Sequence, residues 1–229
     1  MLNYLLMIVL LMLIVVIFLQ FRPAPTGRIN TQLSVIRSVN ANFYVLQTAE
    51  GIALFDCGSN ASTALAGFQA LQLAAEDVRY IFLTHSDYDH SGGRAAFPNA
   101  KVYLSRVEEQ MINGQTKRRF FLSNHLSQPY HLLDDGEMIQ ISGTTVQMHL
   151  VPGHTPGSAL YIIDDRYLCS GDLWLFSRDG ISRPFFPLMN LNQQQITESG
   201  AMACRWLEGA ELVLTGHSGV VHLQNPPVQ

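Results

Sequence analysis

The chain is poor in charge, poor in cysteine and without a basic excess, and each shortage excludes a class of protein. Only 14% of its 229 residues are charged, 14 basic against 18 acidic, for a net charge of −4. With a sequence pI near 6.0 it lacks the electrostatic footprint of a nucleic-acid binder, so no nucleic-acid partner is expected. Three cysteines, Cys57, Cys169 and Cys204, are too few and too odd in number for a disulfide framework. No glycine-rich phosphate loop follows an apolar run. Hydrophobic residues make up 48%, which excludes disorder, and about 208 residues after the leader suffice for one sizeable core.

Charge is absent altogether from the first 21 residues. Tyr4 to Leu19 is unbroken apolar sequence, and with Gln20 and Phe21 the run would make a helix of roughly 27 Å at ~1.5 Å per residue. That nearly matches a hydrocarbon core of about 30 Å. No Lys or Arg precedes the run and no small-x-small cleavage site follows it, so it reads as an anchor rather than a cleaved signal. The expectation is a transmembrane anchor over 1–21 that meets the bilayer through residues 4–21, a linker over 22–32 and a globular domain over 33–229. Arg22, Arg28 and Arg37 follow the run, so the positive-inside tendency predicts a single-pass membrane protein with a cytoplasmic domain.

Within the domain, Leu33–Ser38, Phe43–Thr48 and Ile52–Asp56 read as strands. Ala61–Ala75 reads as a helix with Leu65, Phe68, Leu71 and Ala75 along one face. Tyr80–Thr84 and Val102–Leu104 are further strands, and Arg106–Asn113 is a polar helical stretch. Lys117-Arg118-Arg119, beside Phe120-Phe121, reads as a solvated helix end or loop rather than a substrate-facing patch. Residues 130–169 are mostly strand and turn, 191–207 helical, and Leu212–Leu214 a last strand. Asp134, Asp135, Asp164 and Asp165 are turn formers. His125, His131, His149 and His222 stand in no chemical context.

The informative stretch is Thr84-His85-Ser86-Asp87-Tyr88-Asp89-His90-Ser91-Gly92-Gly93. Four metal-ligating side chains fall within six residues, directly after an apolar strand. Clustered carboxylates resist burial, and a divalent ion reverses that balance. Three later turns each follow an apolar run and each offer one more ligand: His154 in PGHTPG, Asp172 in SGD and His217 in TGH. Seven such side chains delivered to a common rim suffice for two ions with positions left for water.

In this order the motifs resemble the metallo-β-lactamase-fold hydrolases, over about residues 33–217, with Phe55-Asp56-Cys57-Gly58 similar to the family's early Asp-x-Gly turn. The resemblance implies an α+β fold, a four-layer αβ/βα sandwich with metals at one edge of two sheets. It implies that His85, Asp87 and His154 bind a first metal, that Asp89, His90 and His217 bind a second, and that Asp172 bridges them. Asp56 would support the metal loop. The implied cofactors are two divalent ions, zinc in the first instance with Mn or Fe as alternatives. One position departs from the family: Asp87 stands where His is usual, which lowers the charge of the site and favours harder ions.

The implied activity is hydrolysis of an ester, lactone or thioester in a small-molecule substrate, by water made acidic on a metal, with Asp89 as the catalytic residue orienting it. A bridging Asp at this turn is typical of the family's thioesterases, lactonases and phosphodiesterases, which disfavours β-lactams. A phosphodiesterase or an iron-dependent oxidoreductase of the same fold is the alternative. Trp174, Phe176, Phe185 and Phe186, close after Asp172, either wall a hydrophobic pocket or pack in the core.

Overall fold

Alternating side chains along single strands face two different interiors, and that alternation sets the layers. A computed structural model describes residues 4, 7, 12, 21–118, 124–177, 180 and 182–223. Strands β1 (Gly27–Arg28), β2 (Leu33–Ser38), β3 (Ala41–Thr48), β4 (Gly51–Phe55), β5 (Val78–Phe82), β6 (Lys101–Ser105) and β7 (Tyr130–Leu133) form one sheet in sequential order. Its first four strands pair antiparallel and β4 to β7 pair parallel. Strands β8 (Met138–Ile141), β9 (Thr144–Leu150), β10 (Ala159–Ile163), β11 (Tyr167–Gly171), β14 (Leu212–Thr215) and β15 (Val220–His222) form the second sheet, in the order β15-β14-β11-β10-β9-β8. Its one parallel pair is β11 with β14. A small hairpin, β12 (Trp174–Phe176) with β13 (Ser182–Pro184), stands apart.

Along β3, Tyr44 and Leu46 enter the core between the sheets, where Phe55, Phe82, Met148, Tyr161 and Leu214 meet them. Phe43 and Val45 point the other way, under helix α1 (Ala61–Leu71), among Ile36, Leu54, Ala64 and Phe68. In β10, Tyr161 and Ile163 face the central core. Leu160 and Ile162 face helix α2 (Gln193–Ala203), packed with Ile196 and Ala203. Strands buried on both faces are continuously apolar, and the result is the expected helix–sheet–sheet–helix order.

Helix α1 starts on Asn60, whose side chain accepts from the Thr63 amide at 2.9 Å and satisfies an otherwise orphaned donor. It ends at Leu71 rather than Ala75, because Gln72 takes a left-handed conformation (φ 57) and the Leu73 amide turns back to the Phe68 carbonyl. The buried face is Ala64, Gly67, Phe68 and Leu71, and Leu65 is exposed.

The expectations about the leader are corrected. Among the described residues no helix is long and apolar enough to cross a membrane. The transmembrane helix, the bilayer contact through 4–21 and the single-pass localisation with a cytoplasmic domain are therefore not supported. Phe21, counted as the last residue of the span, is only 8% exposed and packs inside the domain against Phe185, Phe186 and His217. A ring stacked in the protein interior cannot also lie in hydrocarbon. Of residues 4–20, all but Tyr4, Met7 and Met12 lie outside the described residues. The stretch 22–32, expected as a linker, is tied to the domain: Arg22 donates its amide to His217 O, Ala24 to Asn42 Oδ1, and β1 pairs with β2.

Candidate metal centre

The loop after β5 and three turns of the second half converge at one edge of the two sheets. Their ligand atoms form three groups, His85–Asp87–His154, His85–His90–Asp172 and Asp89–His90–His217, each within 4.8 Å. All seven residues singled out in the sequence are thus brought together. Asp172 is central: its Oδ1 lies 3.3 Å from His90 Nε2, and its Oδ2 lies 3.3 Å from His217 Nε2 and 3.4 Å from His154 Nε2. Asp87 Oδ2 is 3.4 Å from His85 Nε2 and 3.1 Å from His154 Nε2. Asp89 Oδ2 is 3.4 Å from His217 Nε2 and 3.9 Å from His90 Nε2.

Each imidazole is held from behind at Nδ1. His90 donates to Asp56 Oδ2 at 2.7 Å, His217 to the Asn40 carbonyl at 2.7 Å, and His154 to Asn190 Oδ1 at 3.1 Å. His85 donates to Thr84 Oγ1 at 3.0 Å, that hydroxyl giving its own proton to Asp56. These partners fix the tautomer, so every Nε2 presents a lone pair inward. His85 Nε2, His90 Nε2, His217 Nε2 and Asp172 Oδ1 are buried with no hydrogen-bond partner among the described residues. Orphaned acceptors aimed at shared points are costly unless a cation meets them, so the donor set of Asp89, His90, Asp172 and His217 fits a divalent ion.

The electrostatics point the same way. Burial would lower the His90 imidazole, but Asp172, Asp56 and Asp89 outweigh it and hold it well above its usual range. Burial would raise the Asp172 carboxyl, but His217 and His90 hold it well below. The pocket draws positive charge.

Two buried carboxylates brace the loop. Asp56, itself in a left-handed conformation (φ 60), accepts from the Thr84 amide at 2.8 Å as well as from Thr84 Oγ1 and His90. This is the support the sequence assigned to it. Glu108, fully buried, was passed over in the polar stretch 106–113. Its Oε1 accepts from the Ser86 amide and hydroxyl, and its Oε2 from Thr155 Oγ1 and the Gly157 amide. It ties the first loop to the turn that carries His154. A Cβ on Gly157 would lie 2.1 Å from the Glu108 nitrogen, and one on Gly216 would lie 2.4 Å from Asp172 Oδ1. Glycine leaves both approaches open.

Phe21 and Arg118 had no signal in the sequence that placed them here. Phe21 stacks on His217 at 4.3 Å between centroids, while Phe185 meets His154 edge-on at 4.9 Å. So Phe185 both walls the site and packs in the core, whereas Trp174 is core. Arg118, expected to be solvated, enters the site and makes a forked contact with both oxygens of Asp87. Arg119, Phe120 and Phe121 of the same cluster lie outside the described residues. His125, His131, His149 and His222 take no part in the three groups.

A family model described as the metallo-β-lactamase superfamily matches residues 37–217, and the chain belongs to that superfamily. It is 35% identical over 107 residues to a hydroxyacylglutathione hydrolase of a Synechococcus strain, covering 45% of this chain and 35% of that one. Over 89 residues it is 29% identical to an N-acyl homoserine lactonase of Bacillus cereus, covering 39% and 34%. The chain spans about a third of the length of these curated relatives. Among solved structures, a B3 metallo-β-lactamase with an active-site glutamic acid superposes with a TM-score of 0.66 at 20% identity, over 87% of this chain and 80% of that one. A Cronobacter sakazakii metallo-β-lactamase with a HARLDQ motif gives 0.66 at 22%, over 88% and 81%. The structural likeness establishes the fold.

Proposed function

We propose that this chain is a metal-dependent hydrolase acting on an ester, lactone or thioester bond of a small molecule. The observation that carries the reading is the set of inward Nε2 lone pairs around the Asp172 carboxylate, each imidazole anchored from behind. A divalent ion bound there supplies acidified water at neutral pH and withdraws charge from a carbonyl oxygen. Asp89, His90 and His217, together with Asp172, would hold that ion. Asp89 is the most open of the group, its side chain 27% exposed against 4% for Asp172. Its carboxylate is therefore placed to accept a proton from incoming water and fix its direction. Phe21 and Phe185 pack against the rings of His217 and His154, an apolar setting that suits the uncharged acyl part of an ester or thioester better than a phosphodiester. The hydrolase and lactonase named above act in their own contexts on the bond types this reading favours.

The test is a panel of lactones, thioesters, phosphodiesters and β-lactams, run with full-length protein loaded with Zn, Mn or Fe. Turnover of a lactone or thioester is expected, and Asp89→Ala is expected to lower it at least about 10²-fold, the lower bound for a lost acid–base group. Unchanged turnover in the variant, or turnover of phosphodiesters alone, would overturn the reading.

A further inference from the structure

The two sides of the centre differ in one respect that the ligand pattern does not predict. The Asp89 side offers unpartnered acceptors, whereas on the Asp87 side a cation of the protein's own already occupies Asp87 and His154 and leaves only His85 Nε2 without a partner. Arg118 uses all five of its N–H bonds there. Nε donates to Asp87 Oδ1 at 2.8 Å, and Nη2 donates to Asp87 Oδ2 and, at 2.6 Å, to His154 Nε2. Nη1 donates to the His154 carbonyl at 3.0 Å and the Met189 carbonyl at 2.7 Å. Asn124 Nδ2 adds another donor to Asp87 Oδ1 at 2.9 Å. Both oxygens of Asp87 and the lone pair of His154 are thus spent on protein donors.

From this geometry we infer that the Arg118 guanidinium takes the place of an ion among His85, Asp87 and His154, so that the protein holds one metal ion per chain. The inference rests on the metal-hydrolase reading for the other side, and it narrows the expectation of two ions. A bidentate guanidinium–carboxylate fork is among the strongest neutral-sum pairings available to a side chain. It satisfies the one carboxylate that the His85–Asp87–His154 group contains. A dication added among the same side chains would face a fixed positive charge and would have to break all five hydrogen bonds to displace it. It also gives Asp87 a reason to be acidic: the usual His at this position would leave the guanidinium with no counter-charge.

Full-length protein is stripped with a chelator, equilibrated with excess Zn or Mn, freed of loose metal and counted by mass spectrometry of the elements. One ion per chain is expected for the wild type and two for Arg118→Met, which keeps an unbranched apolar stem without the guanidinium. Asp87→Ala is expected to stay at one, since that carboxylate serves the arginine, and Asp89→Ala to fall to none. A wild type with two ions, or Arg118→Met still at one, overturns the inference and leaves the hydrolase reading intact. No ion in either protein would bring down both. Where Arg118→Met fails to fold by circular dichroism, cobalt titration of the wild type decides: a d–d spectrum saturating at one equivalent supports the inference, and a second spectral step overturns it.

Discussion

The two sheets furnish the centre by different means. The first supplies one loop, 85–90, that carries His85, Asp87, Asp89 and His90 within six positions. The second supplies His154, Asp172 and His217 one at a time, each in its own turn. Strand ends in a paired sheet are positioned by the ladder itself: β11 and β14 are neighbours, so Asp172 and His217 arrive side by side. A loop has no such frame and needs one built. Asp56 and Glu108 are that frame, two buried carboxylates whose oxygens collect amide, hydroxyl and imidazole protons from 84–90. The loop concentrates ligands and in return depends on two buried carboxyl groups in the interior; of the strand ends, only the turn carrying His154 leans on one of them, Glu108.

The largest test of that contrast removes a brace from each side. Asp56→Ala leaves the Thr84 amide and hydroxyl and His90 Nδ1 buried without their acceptor. Each such loss costs about 1–3 kcal/mol, and losing the partner of a metal-binding imidazole costs ~10–100-fold in metal affinity. Asn190→Ala on the other side removes one neutral acceptor from His154 Nδ1, an imidazole whose Nε2 already accepts from Arg118. Zinc competition against a chelator should therefore show a large drop for Asp56→Ala and little change for Asn190→Ala. Equal effects would mean that the loop needs no special support.

A smaller effect should separate the braces by pH. Burial pushes the Glu108 carboxyl above its ordinary 4.5, against the pull of His85, Ser86 and Thr155. A carboxyl raised on folding binds its proton more tightly in the native state. Its contribution is complete below about 4.5 and declines as pH rises through the shifted value. Glu108→Gln carries no such slope, but its amide turns donors toward the donors of Ser86 or of Thr155 and Gly157, at a cost of about 1–3 kcal/mol. Urea midpoints of both proteins from pH 4.5 upward should converge as the wild type loses that contribution. A constant difference across the range would mean that Glu108 is ionised throughout and that its four donors outweigh burial.

How far the sequence reveals this arrangement follows from the same contrast. The loop is legible because its ligands are nearly consecutive, and carboxylates and imidazoles packed so densely after an apolar strand repel one another unless a cation joins them. The strand ends are legible only as an ordered series, since His154 or His217 alone is an ordinary histidine. The strands of the sandwich can be found from their apolar runs, as with Leu33–Ser38, which forms as expected. The end of α1 cannot, because nothing in Gln72 announces a left-handed residue. Phe21 is lost in an apolar run that has no internal marker for where the domain begins. Arg118 and Glu108 fail for a related reason. A basic triplet and a polar helical stretch look solvated until the fold shows which member turns inward, and the partners that hold them, Asp87 and Gly157, are 31 and 49 positions away.

The smallest expected effect comes from a second arginine–carboxylate fork with nearly the geometry of the first. Arg166 Nε donates to Glu211 Oε1 at 2.7 Å and Nη2 to Oε2 at 3.0 Å. Both side chains are about half exposed, whereas Arg118 and Asp87 are 14% and 17% exposed. The hydrogen bond from Arg166 lowers the Glu211 carboxyl below its ordinary 4.5. Its contribution is present above that value and fades as pH falls through the lowered one. Water and salt screen an open pair, and long side chains lose entropy in holding it. Glu211→Gln should leave the urea midpoint at neutral pH within error, and any small difference there should fade on the acid side and in high salt. If the midpoint moved as far as in Asp56→Ala, geometry would outweigh burial in fixing the worth of such a pair. The centre would then owe its cation preference to the shape of the fork, and the dry setting around Asp87 and Arg118 would be incidental.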